Sequence, residues 1–111
     1  MKIYDMHIHL NSEKIEQNYL IEQMEQSGVY GGGIISCPPE EATAALLKMP
    51  FKERLETVLK WKKGLENRIF TGLWVHPEEK DVCLKVKDAA SSGIDFFKII
   101  CDTMPAYEKP C

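Results

Sequence analysis

Two short stretches, Ser27-Gly28-Val29 and Ser92-Gly93-Ile94, repeat one three-residue signal, and together they restrict the chain to few folds. In each, a small residue closes an amphipathic segment and glycine supplies the left-handed backbone that commonly ends a helix. A β-branched residue then opens an apolar run of strand character. A chain that passes twice from helix to strand in this way is built from strand–helix units, and such alternation implies parallel strands joined by right-handed crossovers.

The rest of the chain fits that frame. A first strand is expected over Ile3 to Leu10, and a helix within residues 12–27 with Ile21 and Met24 on its apolar face. A second strand runs from Val29 to Ser36 and is stopped by Pro38-Pro39. A short helix over Glu40 to Lys48 breaks at Pro50. In the next helix Leu55, Val58, Leu59 and Lys62 fall at i, i+3, i+4 and i+7, one stripe continued by the Lys62 stem and Leu65. Asn67 is its expected stop. Ile69 to His76 gives a third strand, and Lys80 to Ser92 a helix with Val82, Val86 and Ala89 inward. Ile94 to Cys101 gives a fourth strand. The predicted fold is therefore α/β, a parallel (βα)3β segment.

A closed eight-stranded barrel takes about 250 residues, and this chain has 111. Four parallel strands alone expose two edges and one poorly covered sheet face. We therefore expect residues 1–111 to be the N-terminal half of a TIM-like (β/α)8 barrel. The final Pro110-Cys111 reads as a cut inside a loop. Partners follow: a missing C-terminal half-barrel, or further copies of the chain as a homo-oligomer.

Composition narrows the function classes. Apolar residues make up 44% and charged residues 28%, as in an ordinary globular chain. The net charge of −3 and the scattered Lys and Arg leave no basic footprint for nucleic acid or acidic lipid. Charge interrupts the N-terminal apolar residues at once, unlike a secretory signal. No segment approaches the roughly 20 apolar residues of a membrane helix. Cys37, Cys83, Cys101 and Cys111 form no Cys-x-x-Cys pair, so they read as reduced thiols of a cytoplasmic protein.

The chemistry is concentrated in the first strand. With a side-chain period of two, Asp5, His7 and His9 are expected on one face, and Tyr4, Met6, Ile8 and Leu10 on the other against helices. Two imidazoles one residue apart can hold a divalent ion, zinc first and manganese or iron as alternatives, with a position left for water. Asp5, one layer deeper, can fix a histidine tautomer from behind. A His-x-His pair can also be plain polar decoration. Here the pair opposes a continuous apolar set at the carboxyl end of a parallel strand, where barrel enzymes gather their active sites.

The run Tyr4-Asp5-Met6-His7-Ile8-His9-Leu10 resembles the opening strand of the amidohydrolase superfamily, in its amidohydrolase-related branch of metal-dependent hydrolases, lactonases and decarboxylases. Met24 to Pro38, Asn67-Arg68-Ile69-Phe70 to His76-Pro77, and Gly93-Ile94-Asp95-Phe96-Phe97-Lys98-Ile99 are similar, in that order, to the branch's later strands. The resemblance implies a TIM barrel and a metal-activated water attacking a carbonyl of a small-molecule substrate, or a related decarboxylase or lyase reaction. It also implies further metal and catalytic residues on later strands, which lie beyond this sequence, so the isolated chain is expected to be incomplete and inactive.

Three more residues are candidates for lining the pocket. Lys98 shares a strand face with Phe96 and Ile100; in some superfamily members a middle-strand lysine is carboxylated and bridges two metals, but a pocket-lining amine is the favoured reading. His76 can contact substrate or cap a local carbonyl. Cys37 can face the site or simply pack. Trp61 and Trp74 are expected as packing aromatics. Gly31-Gly32-Gly33 lacks the spacing of a dinucleotide loop and suggests close packing or a bend. Two other functions stay open: a PHP-type phosphoesterase, whose barrels also begin with a His-x-His strand, and a non-catalytic half-barrel that acts by assembly.

Overall fold

In the computed structural model, the described residues are 1–10, 15–42 and 49–100. They form strand β1 (Tyr4–His9), helix α1 (Gln17–Gln26), β2 (Gly31–Ile35), α2 (Phe51–Lys60), β3 (Ile69–Val75), α3 (Val82–Ser91) and β4 (Phe96–Ile99). The strands make one parallel sheet in the order β1-β2-β3-β4. β2 is buried throughout, whereas β1 and β4 are the sheet's edges. Of the short helix expected over Glu40 to Lys48, Glu40 and Glu41 form a turn and residues 43–48 lie outside the described ones.

Both glycine junctions close their helices as the sequence indicates. Gly28 and Gly93 have φ of 75° and 103°. The Val29 amide reaches back to the Met24 carbonyl at 2.8 Å, and the Ile94 amide to that of Ala89 at 3.1 Å. These are the long-range bonds of the Schellman motif, and they turn the chain directly into β2 and toward β4.

The hydrophobic core fills the space between the helices and one side of the sheet. Ile34, Ile69, Leu73 and Val75 from the strands meet Met24, Leu55, Val58, Trp61 and Ala89 from the helices. Arg54 is buried with them, 2% exposed, and pairs with Glu79 at 2.7 Å. Lys62 reaches past the core edge to the Gly93 carbonyl and the Asp95 carboxylate, tying the end of α2 to the start of β4.

The opposite side of the sheet is concave. Adjacent strands lie about 4.8 Å apart, so β1 and β4 would be roughly 14 Å apart in a flat sheet. Yet Lys98 on β4 touches His7 on β1 at 3.0 Å. The aromatic contacts Tyr4–Phe70 and His9–Trp74 likewise reach from β1 over β2 to β3. The sheet is thus curled into a half-barrel with helices outside. Glycine makes room on the inner side: the Phe96 ring lies where a Cβ on Gly72 or Gly33 would fall. The expected role of the glycine run in close packing is what Gly33 performs.

Candidate metal centre

The strict alternation expected for the first strand does not hold. Between Asp5 and Ile8, β1 advances three residues while β2 advances two, from Gly32 to Ile34. This β-bulge inserts one extra residue and shifts the phase of everything before it. Paired residues of a parallel ladder face the same way, so Ile8 (with Ile34) points to the helices and His9 (with Ile35) into the hollow. Leu10 joins the core, 4% exposed. Upstream of the bulge the phase reverses. Tyr4 and Met6, expected against helices, stand on the concave side at 38% and 48% exposure. Asp5, paired with Gly32, belongs to the convex side and is separated from the histidines it was expected to accompany. Its carboxylate accepts the His7 backbone amide at 3.0 Å, so it braces the bulge rather than an imidazole ring.

The two imidazoles do converge. His7 Nε2 and His9 Nε2 are 2.9 Å apart, with ring centroids 4.9 Å apart. Two nitrogens each about 2.0–2.1 Å from a tetrahedral zinc would be about 3.3 Å apart. The pair therefore fits a shared cation after opening by a few tenths of an ångström. Among the described residues no group of three or more His, Cys, Asp or Glu side chains is placed to complete the coordination. A cation held there would take two ligands from the pair, and the rest from water, substrate or further protein groups.

Electrostatics favour the ligand form of the deeper histidine. Burial, and then the neighbouring His7 and Lys98, hold His9 below the ordinary histidine value of 6.5. A depressed value keeps the imidazole neutral, as metal ligation requires. Trp74 stacks its edge against His9 at 5.3 Å between centroids, and its indole Nε1 is buried without an acceptor among the described residues. It is thus a wall of the hollow rather than a core aromatic; Trp61 alone fills the packing role. The Trp74 amide donates to Ser36 Oγ at 3.0 Å, extending the β2–β3 contact beyond Ile35.

The other candidates separate. Lys98 pairs in register with Trp74 and enters the hollow, its Nζ 3.0 Å from His7 Nε2. Cys37 is in the helix-side core, 3% exposed, where its thiol donates to the Leu10 carbonyl at 3.2 Å. It packs and does not line the hollow. His76 is 3% exposed at the end of β3. Its amide donates to Glu79 Oε2 at 2.8 Å, and its Nδ1 accepts the Glu78 amide at 3.2 Å. Sequence reasoning missed the Arg54–Glu79 pair behind this loop. The sole hint was an arginine beside Leu55 on an otherwise apolar helix face. Cys101 lies outside the described residues, as does Cys111. No helix among the described residues is long and apolar enough to cross a membrane.

Compared with known proteins, the chain matches no family profile, no curated protein and no solved structure.

Proposed function

We propose that this chain carries the first two ligands of a divalent metal centre in a metal-dependent hydrolase of the amidohydrolase type, or a related decarboxylase or lyase. The observation that carries the reading is the convergence of His7 Nε2 and His9 Nε2 at 2.9 Å in the hollow of a parallel half-barrel. His7 and His9 hold the ion, zinc in the first instance, with manganese or iron as alternatives. The bulge aims His7 inward, and Trp74 restricts how far the His9 ring can turn. When bound, such an ion supplies Lewis acidity, polarising a substrate carbonyl or activating a water. The amidohydrolase resemblance of the Gly28-Val29 and Gly93 to Ile99 segments supports this class over a PHP-type phosphoesterase, whose barrels share the opening His-x-His strand.

The test is stoichiometric binding of zinc or manganese, measured by calorimetry and elemental analysis. Wild type is expected to bind one equivalent, and the double variant His7→Ala/His9→Ala none. Equal metal content in the two would remove the assignment.

A second reading rests on the sheet edges. Tyr4, Met6 and Ile99 expose apolar surface on β1 and β4. A half-barrel that acts by assembly, with a C-terminal half or with further copies, would cover them. Light scattering that shows only monomer with intact structure would count against self-assembly.

A further inference from the structure

His7 Nε2 is the meeting point of three nitrogens. Lys98 Nζ lies 3.0 Å from it and His9 Nε2 2.9 Å. An ammonium can only donate a hydrogen bond, and a neutral imidazole nitrogen either carries a proton or offers one in-plane lone pair. The Lys98 contact therefore requires His7 Nε2 to be bare, with the ring proton on Nδ1. The 2.9 Å contact also needs one proton, and with none on His7 Nε2 it comes from His9 Nε2. The two histidines thus hold opposite tautomers, and two N–H groups share one lone pair in a three-centre bond.

An ion needs a different arrangement of the same atoms. A metal held by the pair takes the lone pairs of both Nε2 atoms. The His9 proton must then lie on Nδ1, and Lys98 must withdraw from His7. Neither change alters a charge: the His9 ring stays neutral and the lysine keeps its protons. The metal-free pair is therefore already converged but plugged. Lys98 reaches it from β4, half-buried and in register with Trp74, across the curl of the sheet.

We infer that Lys98 is a positioning residue that occupies the metal-free site: its ammonium holds His7 with a bare Nε2 toward the hollow, and it gives up that lone pair to the ion. The inference rests on the metal reading above and adds a built-in competitor to it. An ion gains both imidazoles only by breaking the lysine contact, so hard cations that bind nitrogen weakly are turned away. The sign of the lysine's effect is fixed as well. A ligating lysine, as the amine or in carboxylated form, strengthens metal binding, whereas a competitor weakens it.

Imidazole nitrogen NMR of the metal-free protein should show His7 protonated on Nδ1 and His9 on Nε2, and zinc should bring both to the Nδ1 form. In calorimetric zinc titrations Lys98→Met should bind about tenfold tighter than wild type, the scale of a hydrogen bond to a charged group. Acetylation of the Lys98 amine in wild type, read by peptide mass, should be slow without metal and speed up on zinc loading. A proton on His7 Nε2 in the metal-free protein overturns the inference and leaves the metal reading intact. So does unchanged or weaker zinc binding in Lys98→Met, or an amine no more reactive with zinc than without it. Zinc binding by neither wild type nor Lys98→Met removes the metal reading, and this inference with it.

Discussion

Removing one member of the Arg54–Glu79 pair should be costly, and removing the two members should not cost the same. The pair is 2.7 Å apart with each side chain 1% exposed. Glu79 has other support: Lys85 Nζ at 3.5 Å and the His76 amide at 2.8 Å. Among the described residues Arg54 has only the Met49 carbonyl besides, and its Nε already lacks a hydrogen-bond partner. Glu79→Leu thus strands a guanidinium that cannot shed its proton. Arg54→Met strands a carboxylate that keeps two contacts and can take up a proton. Breaking a buried pair typically costs about 3–5 kcal/mol. We expect Glu79→Leu near the top of that range and Arg54→Met near or below its foot. At about 4 °C per kcal/mol for a domain of this size, Glu79→Leu lowers Tm by roughly 15–20 °C. The double variant Arg54→Met/Glu79→Leu should return to within about 1–2 kcal/mol of wild type, since apolar replacement of a buried pair is often neutral. Urea unfolding followed by Trp fluorescence, read as a double-mutant cycle, gives the coupling. Single-variant costs that are equal and simply add in the double would refute the reasoning.

Three further outcomes are expected. Gly28→Ala and Gly93→Ala, at φ of 75° and 103°, should each lose about 1–2 kcal/mol in urea unfolding, the cost of a Cβ in left-handed backbone; a loss near zero would mean that the helix ends are not fixed as described. Gly72→Ala drives a Cβ into the Phe96 ring and should cost about 1–3 kcal/mol, and adding Phe96→Ala should make the combined loss smaller than the sum of the single losses. In the metal-free protein, His9 should titrate below 6.5 by NMR and move only slightly upward in Lys98→Gln, because burial is the leading cause. Its folded value is depressed, so its contribution to stability is present above 6.5 and is lost as pH falls through the lowered value. A His9 that titrates at or above 6.5 would contradict the burial.

The order of elements was readable because each carries a local signal. The i, i+3, i+4 stripe at Leu55, Val58 and Leu59 marked α2, and the paired Gly28 and Gly93 marked two helix ends to within a residue, with the strands starting two residues later than expected. The direction of the side chains on β1 was not fully readable. A period-two reading is correct from His7 onward, where Ile8 and Leu10 meet helices, and fails for Tyr4, Asp5 and Met6. The bulge depends on the β1–β2 register, a tertiary quantity that Gly31-Gly32-Gly33 leaves weakly specified from sequence. For the same reason the convergence of His7 and His9 was anticipated, whereas the placement of Asp5 was not. Lys98 was readable as a candidate but not as a neighbour of His7, because that contact comes from curvature across the whole sheet.

The two glycine-closed turns sit shortly before β2 and β4, whereas His9 and Lys98 sit at or near the far tips of their strands. One rim of the half-barrel therefore holds the instructions for chain reversal, and the opposite rim holds the groups proposed to meet a ligand. Such a layout lets ligand preference drift through changes at one rim without disturbing the cues that guide the chain through folding at the other.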